Sequence, residues 1–461
     1  MEIVFQKCSN ECSKMYSKIL LLLVFALCCV KSYEILVFYP MPVKSVGILG
    51  EGVVRHLLNA GHEVRNNVKK ILDFEESIVN VSITTLENEN LLKFLEDTKE
   101  HFDAVIIDYF EKELYSGLSA LYNCPLIWSY SMGAHWQLLR LIDEPTSPAY
   151  TSDYLSNNIP PLTFMQRVEG LLTRVYWIAI KRYITLPKVE AAYRRIFEPL
   201  CKQRGISLPD FEDLIYNASM TLANDHLATN NNPSTPQNFK FVGGFHILTP
   251  TAPLPQDLQN LMDNAEHGVI YFSMGSVLKS KDMPKSIAEV KWAPQQSILA
   301  HPKCLLFITH AGLLSSTEAI HFGVPIIGVP VFIDQFFNIN KAVSRGYALR
   351  VDFTFDLAKD LKPAIETINF RYNQKAKELS LIYHDRPVAP GKELVHWVVH
   401  VVRTRGALHL RSPALQVPFY QKVYLDLFAA IILSVYISKI IIFFLLRTVR
   451  NVRRSNKQKL N

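Results

Sequence analysis

The segment that decides the fold runs from Trp292 to Gln335 and reads WAPQQSILAHPKCLLFITHAGLLSSTEAIHFGVPIIGVPVFIDQ. Its apolar run at 305–309 predicts a buried strand, and residues 313–321 predict a helix that begins directly after Gly312. Another apolar run at 324–328 predicts the next strand, followed by a loop that reaches Asp334. Alternating strands and helices are typical of an open parallel sheet, which binds ligands at the carboxyl ends of its strands.

The same alternation extends outward in both directions from this segment. Strands are predicted at 34–39, from 63, at 104–107 before Asp108, at 126–129 and at 269–273, and helices at 48–60 and 256–264. Pro250, Pro253 and Pro255 interrupt the pattern as a stiff linker. We therefore predict an α/β fold of two Rossmann-like domains facing a cleft, with an N-terminal domain at 33–248 and a C-terminal domain at 249–422.

A helical stretch at 164–200 mixes the aromatic residues Phe164, Tyr176 and Trp177 with arginine and lysine. An aromatic stripe at helical spacing most often packs in a core, and we predict that role for it. Contact with a lipid surface or with an acceptor pocket is the alternative interpretation.

Both ends of the chain carry membrane signals. Lysines precede the apolar run at 19–30 and small Ser32, an order typical of a secretory signal peptide covering residues 1–32; a buried first helix is the alternative. Near the C-terminus, 423–446 contains about 20 apolar residues, enough to span a bilayer as a helix. The basic tail at 447–461 predicts a cytoplasmic end and a lumenal body by the positive-inside rule.

The tail and two sequons refine this location. Lys457 and Lys459 resemble a dilysine retrieval signal of type I endoplasmic-reticulum proteins. The alternative interpretation is an ordinary basic juxtamembrane tail. Asn80 and Asn217 begin glycosylation sequons. Cleavage of the signal peptide would leave three cysteines, Cys124, Cys201 and Cys304. This odd, small number does not indicate a disulfide framework.

Composition excludes several classes. The chain is 49% hydrophobic and 20% charged with 18 glycines, so it is neither disordered nor collagen-like. Its formal charge is +7, but six basic residues lie in the last fifteen positions and the remainder is almost neutral. A basic face for nucleic acid is therefore not predicted.

The segment from Trp292 to Gln335 closely resembles the signature of the animal membrane-bound UDP-glycosyltransferases, which include glucuronosyl- and glucosyltransferases. Shorter resemblances occur at 241–244, 272–276 and 409–415, and Leu313-Leu314 looks insect-like. The resemblance covers most of the chain and implies a GT-B type fold. It also implies transfer of a hexosyl group from a UDP-sugar, with inversion, to a small lipophilic hydroxyl compound.

The resemblance assigns the donor site to the C-terminal domain. Trp292 offers a face for uracil, and Gln295 and Glu318 suit the ribose hydroxyls. His310 and Gly312 begin a helix whose free N–H groups suit a diphosphate, with Ser276 on the same side. Asp334 and Gln335 match the residues that hold the sugar. Considered one at a time, these residues have simpler structural interpretations: Trp292 as a core residue, His310 as a loop histidine and Asp334 as a turn residue. The UDP-sugar is a co-substrate, so we expect neither cofactor nor metal.

The family's acceptor chemistry uses a histidine base oriented by an aspartate. Asp108 matches the aspartate, whereas Val46 follows Lys44-Ser45 where the family has the histidine. His56 and His62 do not obviously replace it. We therefore predict impaired transfer; the alternative is a non-catalytic relative that binds lipophiles or nucleotide or partners active members. Membrane lipid and homo- or hetero-oligomers with family members are further expected partners.

Two stretches also look short for the family, the part between Val64 and Asp108 and the part between Ser276 and Trp292. Ala311 replaces a family glycine, which matters if that turn needs a positive φ. A splice variant, a faulty gene model and a decayed copy each explain these departures, and the sequence does not choose between them.

Overall fold

The computed structural model describes residues 32–38, 53, 55–57, 59–60, 63–66, 78–109, 112–143, 147, 149–151, 158–228, 234–275, 293–331, 334–354, 356–368 and 370–459. Most of the predicted signal peptide, Val46, Ser276 and Trp292 lie outside these residues. The predictions made for them stay predictions.

The first sheet is parallel and has six strands in the order β2-β1-β3-β4-β5-β6. The strands are β1 Glu34–Phe38, β2 Glu63–Asn66, β3 Ala104–Asp108, β4 Leu126–Tyr130, β5 Met220–Ala223 and β6 Phe239–Phe241. All five residues of β3 and of β4 are buried, as expected for strands covered by helices on both faces.

Seven helices accompany this sheet in the described part of the chain: α1 Ile78–Leu86, α2 Glu89–Glu96, α3 Gly117–Leu121, α4 Trp136–Leu139, α5 Phe164–Ile180, α6 Leu186–Gln203 and α7 Phe211–Ile215. A 3₁₀ turn at Glu113–Ser116 precedes α3, and a π-helical turn at Lys181–Thr185 joins α5 to α6. The second part of α6 packs in the core through Tyr193 and Phe197.

The second sheet is also parallel, with the order β10-β9-β8-β7. Its strands are β7 Val269–Ser273, β8 Cys304–Thr309, β9 Ile326–Gly328 and β10 Ala348–Arg350. The accompanying helices are α8 Gln256–Asp263, α9 Gln295–Ala300, α10 Leu313–Phe322, α11 Gln335–Ser344, α12 Leu357–Thr367, α13 Phe370–His384 and α14 Pro390–Arg403. The prediction of two parallel α/β halves is confirmed.

Helix α14 crosses back from the second half to the first. Its residues Leu394, Val398 and Val401 are fully buried in one apolar cluster with Ile35 and Ile106 of the first sheet. The two sheets lie on either side of the predicted boundary between residues 248 and 249, while the exact domain limits remain a prediction. The last helix of the second half thus completes the core of the first.

The core prediction for the aromatic residues of the 164–200 stretch was wrong for α5. Phe164, Tyr176 and Trp177 are all exposed, whereas Arg174 of the same helix is buried. The prediction of a helix was correct, but the sequence does not show which side of that helix packs against the rest of the protein.

After α14 come 3₁₀ turns at Leu408–Leu410 and Pro413–Gln416, then α15 Phe419–Lys422 and α16 Leu425–Lys459. Among the described residues, the part of α16 from Leu425 to Asn451 is the one helix long and apolar enough to cross a membrane, with a mean hydropathy of 2.5. None of its most apolar window is buried against the protein. The predicted span therefore lies within a continuous exposed helix.

Candidate active site

Three strands of the second sheet end side by side. Ser273 of β7 pairs with Thr309 of β8, and Thr309 pairs with Gly328 of β9. The loops that follow these strands therefore leave from one edge of the sheet. They carry Gly275, His310 and Asp334, so the register alone brings three predicted donor-site segments together.

The His310 ring lies between two glycines. A Cβ atom built on Gly275 would come within 2.5 Å of His310 Cε1, and one built on Gly312 would come within 2.5 Å of His310 Nε2. Gly275 also has a φ of 71°, which disfavours other residues. Burial lowers the pKa of His310 to about 4. The imidazole is therefore neutral at pH 7, and the positive potential at this loop comes from the free N–H groups at the start of α10.

Ala311, between His310 and Gly312, has a φ of 62° and is fully buried. The left-handed region costs an L-residue roughly 1–2 kcal/mol. The turn does need a positive φ, as the glycine of the resembling family suggested. This chain keeps the turn with an alanine and so stores strain beside the predicted diphosphate loop.

Gln295 and Glu318, the two predicted ribose residues, are in direct contact. Gln295 Nε2 donates to Glu318 Oε2 at 2.5 Å, and Gln296 Nε2 donates to Glu318 Oε1 at 2.9 Å. His246 Nε2 lies 3.4 Å from Glu318 Oε1. Burial, the largest effect, acts to raise the pKa of Glu318, but the nearby His246 and donation from Gln295 and Gln296 outweigh it, and the pKa is lowered. An ionised carboxylate retains lone pairs for hydroxyl donors.

Asp334 directly precedes α11, and Asn338 of this helix connects two parts of the site. Asn338 Nδ2 donates to Asp334 Oδ2 at 2.8 Å and to the carbonyl oxygen of Ala311 at 3.2 Å. Burial raises the pKa of Asp334 more than the Asn338 bond lowers it. Gln335 is buried, and its Oε1 accepts from the Val331 N–H at 2.8 Å. Asn338 therefore couples the predicted sugar and diphosphate segments.

The same helix reaches the first half of the molecule. Lys341, one turn beyond Asn338, places its Nζ 3.8 Å from Asp225 Oδ2, and both residues are buried. Asp225 follows β5 at the carboxyl edge of the first sheet. A side chain of α11 therefore reaches the carboxyl edge of the first sheet.

Asp108, the last residue of β3, is completely buried. Its Oδ2 lies 3.8 Å from Nζ of Lys112, which is equally buried. Among the residues that the structure describes, neither group has a hydrogen-bond partner. Burial raises the pKa of Asp108 to about 6 despite the lysine, and burial lowers the pKa of Lys112 to about 8 despite the carboxylate. The described contacts do not connect Asp108 to the donor segments.

His56 does not take the place of the missing histidine. Its Nε2 donates to the carbonyl oxygen of Phe245 at 2.7 Å, and its ring packs directly against Gly391 of α14, so the side chain is held between the two halves at that point. His62 lies outside the described residues. No alternative base is identified among these two histidines.

Sequence reasoning missed Lys112, Asn338 and Lys341. Lys112 and Asn338 follow Asp108 and Asp334 by four positions, so a helical spacing from each aspartate could have suggested them. Lys341 carried no local signal, since its partner Asp225 is more than one hundred positions away.

A sequence model of the UDP-glucoronosyl and UDP-glucosyl transferase family matches residues 55–289 and 284–459. The chain belongs to this family. The two matched segments overlap at residues 284–289, within the stretch between Ser276 and Trp292 that we predict to be short for the family.

Curated relatives agree with this membership. UDP-glucosyltransferase 2 of the insect Dactylopius coccus is 27% identical, over 87% of this chain and 90% of the relative. UDP-glucuronosyltransferase 2B1 of Rattus norvegicus is 29% identical, over 79% of this chain and 73% of the relative. The family transfers sugars from UDP-sugar donors.

Solved structures identify the fold as GT-B. The spinosyn forosaminyltransferase matches with a TM-score of 0.54 and 16% identity, covering 81% of this chain and 99% of its own. A UDP-glucosyltransferase of Polygonum tinctorium matches with a TM-score of 0.52 and 13% identity, covering 81% and 98%. At these identities the likeness concerns the fold alone.

The Asp108–Lys112 pair gives a stability prediction. Lys112→Met leaves a buried carboxylate without its countercharge, and we expect it to lower the free energy of unfolding by about 3–5 kcal/mol. Lys112→Met combined with Asp108→Asn removes both charges and should recover most of this loss. Urea unfolding followed by tryptophan fluorescence measures both variants.

The pH dependence provides the control. Burial raises the pKa of Asp108 to about 6 in the folded protein, so the folded state binds this proton more tightly than the unfolded state. The contribution of Asp108 to the free energy of unfolding therefore falls as the pH rises from about 4 through 6. The double variant lacks this loss. Equal stability of Lys112→Met and wild type would contradict the buried pair.

Proposed function

We propose that this chain binds a UDP-sugar through its second half and that its ancestral reaction is inverting transfer of glucose or glucuronic acid to small lipophilic hydroxyl compounds. The observation that carries the proposal is the common edge of β7, β8 and β9, where the start of α10 follows a buried, neutral His310. The adjacent Gln295–Glu318 contact supports a ribose position beside that helix start.

Each donor residue has a distinct task in this proposal. Trp292 stacks on uracil, and Gln295 with Glu318 binds the ribose hydroxyls. His310, Gly312 and Ser276 form the diphosphate segment, in which backbone N–H groups and the dipole of α10 oppose the phosphate charge. Asp334 and Gln335 bind the sugar hydroxyls. No cofactor and no metal take part, since the leaving UDP is itself part of the co-substrate.

The acceptor half lacks a proton acceptor in the proposed reaction. An alcohol needs a base in the transition state, and Val46 cannot supply one. Asp108 is sealed from solvent and faces Lys112, so it does not act on the acceptor directly. We therefore propose that transfer is strongly impaired, least for phenols because their hydroxyl is more acidic.

The buried pair of Asp108 and Lys112 also supports a second candidate function. A chain that keeps the donor segments but pairs its aspartate with a lysine suits a non-catalytic role, binding nucleotide or lipophiles or assembling with active family members. Turnover decides between the two functions, because UDP binding is common to both.

We further propose a type I anchor in the endoplasmic-reticulum membrane. The exposed apolar helix from Leu425 supports the anchor, and the basic tail supports a cytoplasmic end. Asn80 and Asn217 are exposed, which is compatible with lumenal glycosylation. Lys457 and Lys459 would act as the retrieval signal.

UDP binding tests the donor site. Aromatic stacking contributes roughly 1–3 kcal/mol per base, so Trp292→Ala should weaken UDP binding about tenfold or more. Titration calorimetry of the detergent-solubilised full chain measures the affinity. Trp177→Ala is the matched control, since Trp177 lies at the surface of α5, and it should bind UDP as wild type does. Equal binding by all three proteins would remove Trp292 from the site.

Val46→His tests the missing base. General-base assistance supplies ~10²–10⁴-fold, or about 3–5 kcal/mol of barrier, so the variant should gain turnover, more with an aliphatic alcohol than with a phenol. Val46→Asn is the control, because an amide is polar but takes no proton. Release of UDP is the measurement.

The outcomes separate the two functions. Robust sugar transfer by the unmodified chain would contradict the proposal that transfer is impaired. No gain in any histidine variant, with UDP binding intact, favours the non-catalytic role.

Topology and retrieval are tested in cells. Protease added to sealed microsomes should remove only the tail and leave the body with its glycans. Lys457→Ser together with Lys459→Ser should release the protein to later compartments, whereas Arg453→Ser with Arg454→Ser, which removes equal charge, should not. Digestion of the body would overturn the orientation, and an unchanged location of the lysine variant would overturn the retrieval signal.

A further inference from the structure

Two histidine rings meet where α14 ends. His400 lies in the last turn of α14, and His409 lies in the 3₁₀ turn Leu408–Leu410 that follows. Their Nε2 atoms are 3.1 Å apart, and the planes of the two rings are inclined by 74°. His409 is exposed and His400 is half-buried, so an ion can reach the two nitrogen atoms from solvent.

The backbone between these histidines holds them together. Residues 405–407 all have a positive φ, which reverses the chain directly after α14. Thr404 Oγ1 donates to the carbonyl oxygen of His400 at 2.7 Å and accepts from the Ala407 N–H at 3.1 Å. Ala407 is fully buried in the core. The turn is therefore fixed at both ends, and it returns His409 to His400.

The separation of the two nitrogen atoms suits a shared metal ion. Imidazole nitrogen binds Zn²⁺ at about 2.0–2.1 Å, so two such ligands at the tetrahedral angle lie about 3.3 Å apart. The 3.1 Å between His400 Nε2 and His409 Nε2 is close to that value. Among the residues that the structure describes, no hydrogen bond uses Nδ1 of either ring. Each ring can therefore carry its hydrogen on Nδ1 and offer the lone pair of Nε2 to the ion.

A second pair of histidines shows that proximity alone does not make such a site. His321 and His384 have ring centroids only 4.4 Å apart. However, His384 Nε2 donates to the carbonyl oxygen of His321 at 2.9 Å, so this nitrogen carries a hydrogen and has no lone pair for a metal. His400 and His409 instead present nitrogen to nitrogen.

A third histidine lies one turn earlier on α14. His396 is exposed, and its ring centroid is 6.2 Å from that of His400. Histidines at i and i+4 share one face of a helix and can bind one metal. In the part of the chain that the structure describes, however, no three metal-ligating side chains meet at one point. His400 and His409 would therefore supply two protein ligands, and water would complete the coordination.

We propose that His400 and His409 form a binding site for a divalent transition-metal ion, with Zn²⁺ as its occupant. Imidazole nitrogen suits Zn²⁺ and Cu²⁺, whereas Mg²⁺ and Ca²⁺ take oxygen ligands. The ion would tie the end of α14 to the segment that leads to α16. Because α14 completes the core of the first half, this bridge would link that core to the start of the apolar helix. The proposal does not depend on UDP binding.

Zn²⁺ binding by the detergent-solubilised full chain, purified without a polyhistidine tag, tests the site. Competition with a chromogenic chelator measures the affinity. His400→Gln and His409→Gln each keep a side chain that can donate a hydrogen bond but remove a metal ligand. Loss of an outer-shell partner alone typically costs 10–100-fold in metal affinity, so each variant should weaken the binding of one Zn²⁺ roughly tenfold or more.

His384→Gln is the matched control. It replaces a histidine whose Nε2 already donates to a carbonyl oxygen, and it should bind Zn²⁺ as wild type does. Equal Zn²⁺ affinity in wild type, His400→Gln and His409→Gln would overturn the proposal.

His396→Gln separates the proposed site from a purely helical one. It should weaken Zn²⁺ binding less than His409→Gln does. The reverse order would assign the ion to the His396–His400 pair of α14, against the proposal.

Measurements on the wild-type protein guard against altered folding in the variants. Cu²⁺ binds nitrogen ligands more tightly than Zn²⁺ does, and pulsed electron paramagnetic resonance of the Cu²⁺-loaded chain should show two coordinated imidazoles. One imidazole or none would contradict the proposal. Zn²⁺ should also raise the melting temperature of wild type but not of His409→Gln, because an ion that binds the folded state stabilises it. An equal rise in both proteins would place the ion elsewhere and contradict the site.

Discussion

Burial of α14 against the first sheet is the interaction on which the arrangement of the two halves depends. Leu394, Val398 and Val401 come from the end of the second half, yet they complete a core built on β1 and β3. Separating the halves would expose these fully buried side chains to water, at about 1.5–3 kcal/mol for each. With the halves fixed, Lys341 of the second half can meet Asp225 of the first.

The predicted donor segments contact one another through buried side chains. Asn338 joins the sugar segment to Ala311, and the Gln295–Glu318–Gln296 contacts tie α9 to α10. The strained φ of Ala311 persists because its neighbours determine the turn from both sides. These contacts therefore fix the relative positions of the predicted donor residues.

The first half contains a second buried pair of charges. A buried aspartate with no countercharge is costly, and Lys112 provides that countercharge for Asp108. Both side chains are buried at the carboxyl end of β3. The pair therefore accounts for the presence of a carboxylate inside this core.

The sequence by itself determined the two parallel α/β halves, most strand positions and the C-terminal apolar helix, because apolar periodicity and glycine or proline breaks are local properties. It also named His310, Gln295, Glu318 and Asp334, whose order along the chain is the family's signature. The tertiary structure alone decided that Lys341 meets Asp225, that α14 completes the other half, and that α5 turns its aromatic side chains outward. These outcomes depend on contacts between residues that are far apart in the sequence. A periodic pattern shows which residues share one side of a helix, but it does not show what that side packs against.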